Sequence, residues 1–228
     1  MIRDVFLDVD DTILDFGRAE REALASALSQ MGVPVNDESV KCYHEVNLAH
    51  WQMLERGEIT RERLLVRRFE KFFEAVGVFA NADKTQRVYE YELGCRSYFL
   101  EGAEALLESL KVGGYRIFLA SNGTTVVQAP RIKASGLDRI CHGIFLSEEI
   151  GCDKPQKAFF DACFARIEGF LPENAIILGD SLSSDILGGK NAGIKTCWFN
   201  PKKKPLTGNV VPDFEISELS EFLGILQS

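Results

Sequence analysis

Short apolar runs that end abruptly in polar residues constrain most strongly what this 228-residue chain can fold into. Four of them lie at residues 5–7, 116–120, 143–146 and 175–178, and segments of helical character separate them. Such runs are typical of parallel strands that are buried on both faces. Together with later runs at 195–199 and 214–216, the alternation predicts an α/β fold, a doubly wound, Rossmann-like parallel sheet with right-handed crossovers.

A dense group of acids follows the first run. Asp8, Asp10 and Asp11 are followed by Thr12, and ligands of open α/β sheets bind outside the carboxyl ends of the strands. Two carboxylates this close repel each other, which raises one pKa or demands a cation, and hard oxygen ligands suit Mg²⁺. Asp8 is a candidate nucleophile, and Asp10 a candidate proton donor to a leaving oxygen. A helix cap or polar turn explains the same residues equally well.

The other strand ends carry complementary groups. Ser121, Asn122 and Gly123 offer a hydroxyl, an amide and flexible backbone donors for phosphate oxygens, although a plain turn also uses Asn-Gly. Lys154 would place a point charge beside a phosphate, whereas single lysines usually lie in solvent. Asp180 would give a metal its second carboxylate, with helix capping as the alternative. The order acid pair, hydroxyl, lysine, acid makes coincidence a poor explanation.

With this order of residues, the chain closely resembles the haloacid-dehalogenase-like (HAD) hydrolase superfamily. The four motifs of that superfamily are matched by residues 8–12, by Ser121, by Lys154, and by Asp180 with Asp185. The resemblance implies a Mg²⁺-dependent phosphatase that works through an aspartyl-phosphate. Dehalogenase members of the superfamily lack the second aspartate of the pair and do not use Mg²⁺, so Asp10 favours phosphate chemistry.

The resemblance also implies a role for each residue of the site. Asp8 is the expected nucleophile, and Asp10 the expected general acid/base. The metal would be held by Asp8, the main-chain carbonyl of Asp10 and Asp180, with Asp185 supporting metal-bound water. The groups expected to bind the substrate or its phosphate, or to steady the loop beside it, are Thr12, Phe16, Ser121, Asn122, Gly123 and Lys154, with Phe16 placed to touch the leaving group.

In residues 17–94, the pattern of short apolar runs with polar ends stops, and the sequence predicts four consecutive helices. These end near Gly32, Gly57, Gly77 and Gly94. The prediction is a helical cap domain at 17–94, inserted in a catalytic core of residues 1–16 and 95–228. Connectors around residues 15–17 and 94–95 would act as hinges that open and close the cap.

Substrate preference is harder to derive from the cap. Tyr43, Asn47 and Trp51 recur at helical spacing and would suit a nucleobase, although a bundle core explains Tyr43 and Trp51 better. Segments 6–20, 43–60, 145–160 and 179–200 resemble the noncanonical pyrimidine nucleotidase branch, which implies removal of phosphate from nucleoside 5′-monophosphates. The alternatives are a phosphoglycolate or sugar-phosphate phosphatase, a phospho-receiver signalling module, and a catalytically silent binding protein.

Composition further limits the possible partners and location of the protein. A net charge of −8 argues against nucleic-acid polymers as partners, and a small phosphorylated metabolite is expected instead. No apolar run approaches the length of a membrane span. Six cysteines without a C-x-x-C pair are expected to be reduced, and three scattered histidines make zinc improbable. Since the N-terminus begins a strand rather than a signal peptide, we expect a cytoplasmic enzyme, a monomer or small homo-oligomer.

Overall fold

The chain divides into two compact units in a computed structural model that describes residues 1–206 and 208–227. The core unit comprises Met1–Phe16 and Ser97–Ser228, and the helical unit comprises Gly17–Arg96. The predicted boundaries placed the return to the core at residue 95, two residues earlier than this division.

The helical unit, all of whose residues are described, contains four helices. They are α1 (Phe16–Gln30, whose first residue belongs to the core unit), α2 (Asp37–Glu55), α3 (Arg61–Val76) and α4 (Ala82–Gly94). Polar caps fix their starts: Asn36 and Ser39 form a reciprocal capping box at α2, and the Thr60 side chain caps α3. Each helix ends close to its predicted glycine.

Aromatic side chains fill the interior of the helical unit. Tyr43 is fully buried, with its ring centroid 5.0 Å from that of Phe69 and 5.4 Å from that of Tyr89. Trp51 is half-buried, and the guanidinium of Arg61 lies 5.6 Å from its ring centroid. Tyr43 is therefore a residue of the bundle core, as the sequence favoured, whereas Trp51 is only partly so.

Within the described residues, the core unit contains a sheet of six parallel strands in the order β3-β2-β1-β4-β5-β6. This confirms the predicted fold class. The strands are β1 (Asp4–Leu7), β2 (Arg116–Ser121), β3 (Gly143–Leu146), β4 (Ala175–Gly179), β5 (Lys195–Phe199) and β6 (Phe214–Ile216). The helices of this unit are α5 (Ala103–Val112), α6 (Thr125–Ser135), α7 (Ser147–Ile150), α8 (Lys157–Phe164), α9 (Leu187–Ala192) and α10 (Phe222–Leu226).

Both faces of the sheet are buried at β1 to β4, because alternate residues of these strands enter two separate apolar clusters. Val5 and Leu7 of β1 pack into one cluster, and Phe6 into the other. The Phe6 ring stacks on Phe118 at a centroid distance of 5.2 Å. This two-sided burial explains why the strands are continuous apolar runs rather than alternating ones.

Residues 13–15 and 98–100, which lie beside the two predicted connectors, pair with each other inside the core unit. Asp15 N donates to Tyr98 O at 2.8 Å, and Leu100 N donates to Ile13 O at 2.9 Å. Leu14 and Phe99 form an antiparallel bridge between these bonds. The hinge function remains a prediction.

No helix of the described part of the chain has the length and apolarity that crossing a membrane requires. The six cysteines, all described, are free.

Candidate active site

Strand register brings the predicted motifs to one edge of the sheet. Leu7 pairs with Leu119 of β2 and with Leu178 of β4. The residues that follow these strands therefore leave the sheet side by side. Asp8 comes after β1, Ser121 ends β2, and Asp180 comes after β4.

Lys154 is the centre of this edge. Its side chain is buried, and its Nζ donates to Asp8 Oδ1 at 2.6 Å, to Asp185 Oδ1 at 2.7 Å and to Ala120 O at 2.6 Å. Burial opposes the charge on Lys154, but Asp185 and Asp8 outweigh it and raise the pKa of the ammonium group. Lys154 is therefore a buried cation aimed at the predicted nucleophile.

Asn122 holds the backbone of Lys154. Its Nδ2 donates to Lys154 O at 2.8 Å, and its Oδ1 accepts from Lys154 N at 2.9 Å. This two-point contact between segments 32 residues apart fixes where the ammonium group lies. The side chain of Asn122 therefore positions the lysine segment, and its predicted contact with a phosphate remains a prediction.

Three acids lie beside the buried Lys154 at this edge. Oxygen atoms of Asp8, Asp180 and Asp185 lie within 4.8 Å of one another. Burial raises the pKa of Asp8 to about 8; Lys154 lowers it, and Asp185 and Asp10 raise it further. Burial, Asp8 and Asp185 likewise raise the pKa of Asp180. Hard oxygen donors with excess negative charge fit Mg²⁺, so this donor set suits the cation that the sequence predicts.

Asp185 reaches this cluster through a wide helical turn. Leu182–Ile186 forms a π-helical turn before α9. In it, Asp185 Oδ2 accepts from Ser181 N at 3.1 Å. A Cβ atom on Gly179 would lie 2.2 Å from Asp185 Cγ, so only glycine permits this close approach.

Asp10 is held by two side chains that the sequence did not single out. Arg131 Nη1 donates to Asp10 Oδ1 at 2.5 Å, and Gln128 Nε2 donates to Asp10 Oδ2 at 2.6 Å. Both donors are fully buried on α6. Their spacing of three residues on the helix after the Ser121 loop was the available signal, because such residues share one helix face.

The hydroxyl of Ser121 is oriented by its neighbours. Its Oγ accepts from Gly123 N at 3.1 Å and from Gln128 Nε2 at 3.0 Å. These two bonds occupy both lone pairs of the oxygen, which leaves the hydroxyl hydrogen as the group that donates. Ser121 is therefore prepared to donate to an anion.

The remaining predicted residues surround the acid loop. Asp11 has a left-handed backbone with φ 55°, and its Oδ1 accepts from Phe16 N at 3.1 Å. The Phe16 ring centroid lies 6.0 Å from Cζ of Arg131. Thr12 is buried, and its hydroxyl has no hydrogen-bond partner among the described residues.

The fold and this edge define a hydrolase class. Residues 2–193 match the family of haloacid dehalogenase-like hydrolases. With a match over most of its length, the chain belongs to this family.

Two nucleotidases and a magnesium-bound structure are among its relatives. The HAD-hydrolase YfnB of Bacillus subtilis is 35% identical over 98% of this chain and 95% of its own. Its crystal structure, described as bound to magnesium and as revealing interdomain movement, has a TM-score of 0.94 and 34% identity over 100% of this chain and 99% of that one. Pyrimidine 5′-nucleotidases PynA of Streptococcus pneumoniae and YjjG of Escherichia coli are 33% and 29% identical, each over 97% of this chain and over 94% and 96% of theirs.

Proposed function

We propose that this protein is a Mg²⁺-dependent phosphatase that hydrolyses small phosphate monoesters through an aspartyl-phosphate. The contact of 2.6 Å between Lys154 Nζ and Asp8 Oδ1, beside a cluster of further carboxylates, carries the proposal. It gives Asp8 a cationic neighbour, and it leaves enough negative charge to hold a divalent ion. The magnesium in the YfnB structure supports the same choice of cation.

In the proposed reaction, a carboxylate oxygen of Asp8 attacks phosphorus while the bond to the leaving oxygen breaks. Asp10 gives the leaving oxygen its proton. Asp10 then takes a proton from water, which attacks phosphorus and releases Asp8. Ser121 and Lys154 bind the phosphoryl oxygens throughout.

Mg²⁺ would be held by Asp8, Asp180 and the main-chain carbonyl of Asp10, and it would supply charge neutralisation for the phosphoryl group. Asp185 contributes by holding Lys154, with which it makes a contact of 2.7 Å. Most of the work of phosphoryl transfer is positioning and electrostatic stabilisation, which these groups supply without further covalent chemistry.

We further propose that the substrates are nucleoside 5′-monophosphates, with a preference for pyrimidines. The support is the similarity to PynA and YjjG over nearly the full length of each chain. We expect the helical unit to act as a cap that selects the leaving group, and we expect the enzyme to be cytoplasmic.

A phosphate-release screen with Mg²⁺ tests both levels of this proposal. The panel contains pyrimidine and purine nucleoside 5′-monophosphates, sugar phosphates and phosphoglycolate, each with an Asp8→Asn control. Preferred turnover of pyrimidine nucleotides is expected. A preference for phosphoglycolate or a sugar phosphate would overturn the nucleotidase assignment only. A persistent phosphorylated protein without turnover would indicate a signalling role, and no turnover of any ester would reject the phosphatase.

A further inference from the structure

The carboxylate of Asp10 is held at both of its oxygens by one face of α6. Arg131 bonds Oδ1 and Gln128 bonds Oδ2, at 2.5 Å and 2.6 Å. A carboxylate that accepts from two fixed donors cannot rotate about its last torsion without breaking one of these bonds. The pair therefore sets the direction in which the carboxylate of Asp10 faces.

The two donors also fix each other. Arg131 Nη1 donates to Gln128 Oε1 at 3.0 Å, which turns the Nε2 of the same amide toward Asp10 and Ser121. One guanidinium nitrogen thus bonds Asp10 and determines the orientation of the amide beside it. Gln128 and Arg131 are both fully buried, so close packing restricts the rotamers that their side chains can adopt.

The loop that carries Ser121 is shaped around Gln128. A Cβ atom on Gly123 would lie 2.4 Å from Gln128 Nε2. The loop backbone can pass this close only because residue 123 is a glycine. The loop and the side chain of Gln128 are therefore packed tightly against each other.

We propose that Gln128 and Arg131 are positioning residues that hold Asp10 in the orientation from which it exchanges protons with the leaving oxygen and with water. The inference rests on the proposed function, in which Asp10 is the acid and base. Neither residue needs to touch the substrate for this role. Through Gln128, the same pair also orients the hydroxyl of Ser121.

A comparison of two leaving groups distinguishes a positioning role for Gln128 and Arg131 from a purely structural role. The variants are Arg131→Met, Arg131→Lys and Gln128→Met, and the observable is leaving-group release in the first turnover with Mg²⁺. The substrates are p-nitrophenyl phosphate and the best nucleoside 5′-monophosphate. A nitrophenolate leaves without a proton, whereas an alkoxide needs one. Loss of acid positioning should therefore slow leaving-group release mainly from the nucleotide.

For Arg131→Met, we expect release from the nucleotide to fall about 100-fold and release from p-nitrophenyl phosphate to fall less than about fivefold. Gln128→Met should slow both substrates, because it also releases the hydroxyl of Ser121, but it should slow release from the nucleotide more. Arg131→Lys should recover part of the loss seen with Arg131→Met. Equal losses on the two substrates, or no loss on either, would overturn the proposal.

Arg116→Met is the matched control. Arg116 also pairs with a buried aspartate in the core unit, donating to Asp4 at 2.5 Å and 2.7 Å. This pair lies at the start of the strands, away from the acid loop. We expect both rates of the folded control variant to stay within about twofold of the wild-type rates.

A crystal structure of the Arg131→Met, Gln128→Met double variant gives a test that needs no activity. The Asp10 carboxylate should change rotamer or occupy several. An unchanged Asp10 would overturn the positioning claim. A wild-type enzyme that hydrolyses no phosphate ester would instead reject the proposed function, and the crystal structure would still decide whether the pair positions Asp10.

Discussion

Each unit contains a buried cluster of charged groups, and the two clusters are balanced differently. In the helical unit, Glu20 accepts from Asn47 at 2.7 Å, and Asn47 in turn accepts from Arg68 at 2.7 Å. One carboxylate is thus joined to one guanidinium through a neutral amide. In the core unit, Asp8, Asp180 and Asp185 lie close together, and the buried Lys154 contacts Asp8 and Asp185.

This difference shows in which cluster the charges are balanced by protein groups alone. Arg68 also donates to Gln86 at 2.8 Å, so neutral amides satisfy its donors while Glu20 supplies the opposite charge within the helical unit. The core cluster has raised pKa values at Asp8 and Asp180, because burial and mutual repulsion disfavour their ionised forms. Clusters with such raised pKa values are typical of functional sites, which is consistent with the proposed cation and substrate.

Asp8→Asn is expected to have the largest effect on catalysis. The amide keeps the volume of the side chain but is a far poorer nucleophile, so phosphate release should fall at least about 10⁴-fold while the protein stays folded. Phosphate release and thermal unfolding, measured on the same preparation, check this. Retained hydrolysis would show that the imbalance of the core cluster has a purpose other than nucleophilic attack.

Asp10→Asn should lower the rate of phosphate release roughly 10²- to 10⁴-fold, which is the usual contribution of general acid–base catalysis. Both leaving-group protonation and attack of water on the intermediate should slow. Rapid-quench detection of the phosphorylated enzyme, together with steady-state rates, would resolve the two steps. Normal steady-state rates would reject the role of Asp10.

The strand ends were predictable because they depend on local sequence. An apolar run followed by Asp8 or Asp180 signals a buried parallel strand and a ligand-binding edge without knowledge of the partner strands. The helix ends were predictable for a similar reason, since a glycine such as Gly77 ends its own helix by taking up a left-handed backbone.

Contacts between distant segments could not be predicted in this way. Arg131 meets Asp10 across 121 positions of sequence, and Asn122 meets Lys154 across 32. The three-residue spacing indicates that Gln128 and Arg131 share one face of α6, but it does not show that this face meets Asp10. The π-helical turn at Leu182–Ile186 was missed because it follows from the place of Asp185 beside Gly179.

Gly179→Ala would test the core cluster by moving one of its acids, Asp185. The new methyl group would overlap Asp185, so Asp185 must shift and its hold on Lys154 must weaken. We expect a loss of about 10- to 100-fold in turnover and roughly 1–3 kcal/mol in the free energy of unfolding. Gly224→Ala in α10 is the matched control, because no atom lies within 4 Å of its added Cβ. Equal behaviour of the two variants would contradict the tight packing of Asp185.

Mg²⁺ should stabilise the core cluster and leave the helical cluster unchanged. Saturation at about 100 times the dissociation constant adds roughly 2.7 kcal/mol to the free energy of unfolding, measured as a shift in thermal midpoint. Arg68→Met is expected to lose about 2–4 kcal/mol by leaving Asn47 and Gln86 without their donor, yet to show the same shift with Mg²⁺. Asp8→Asn should lose most of the shift.

The pH dependence of the Mg²⁺ shift follows from the sign of the changes in pKa. In the metal-free protein, burial raises the pKa of Asp8 from 3.8 to about 8, so the folded chain binds this proton more tightly than the unfolded chain does. Between these values, the contribution of Asp8 to stability falls as pH rises. Mg²⁺ replaces the proton, so its affinity and its stabilising shift should grow from pH 6 to pH 8, by up to about tenfold in affinity per pH unit. A shift that is independent of pH would mean that Asp8 is already ionised without the metal, and the core cluster would then be as balanced as the helical one.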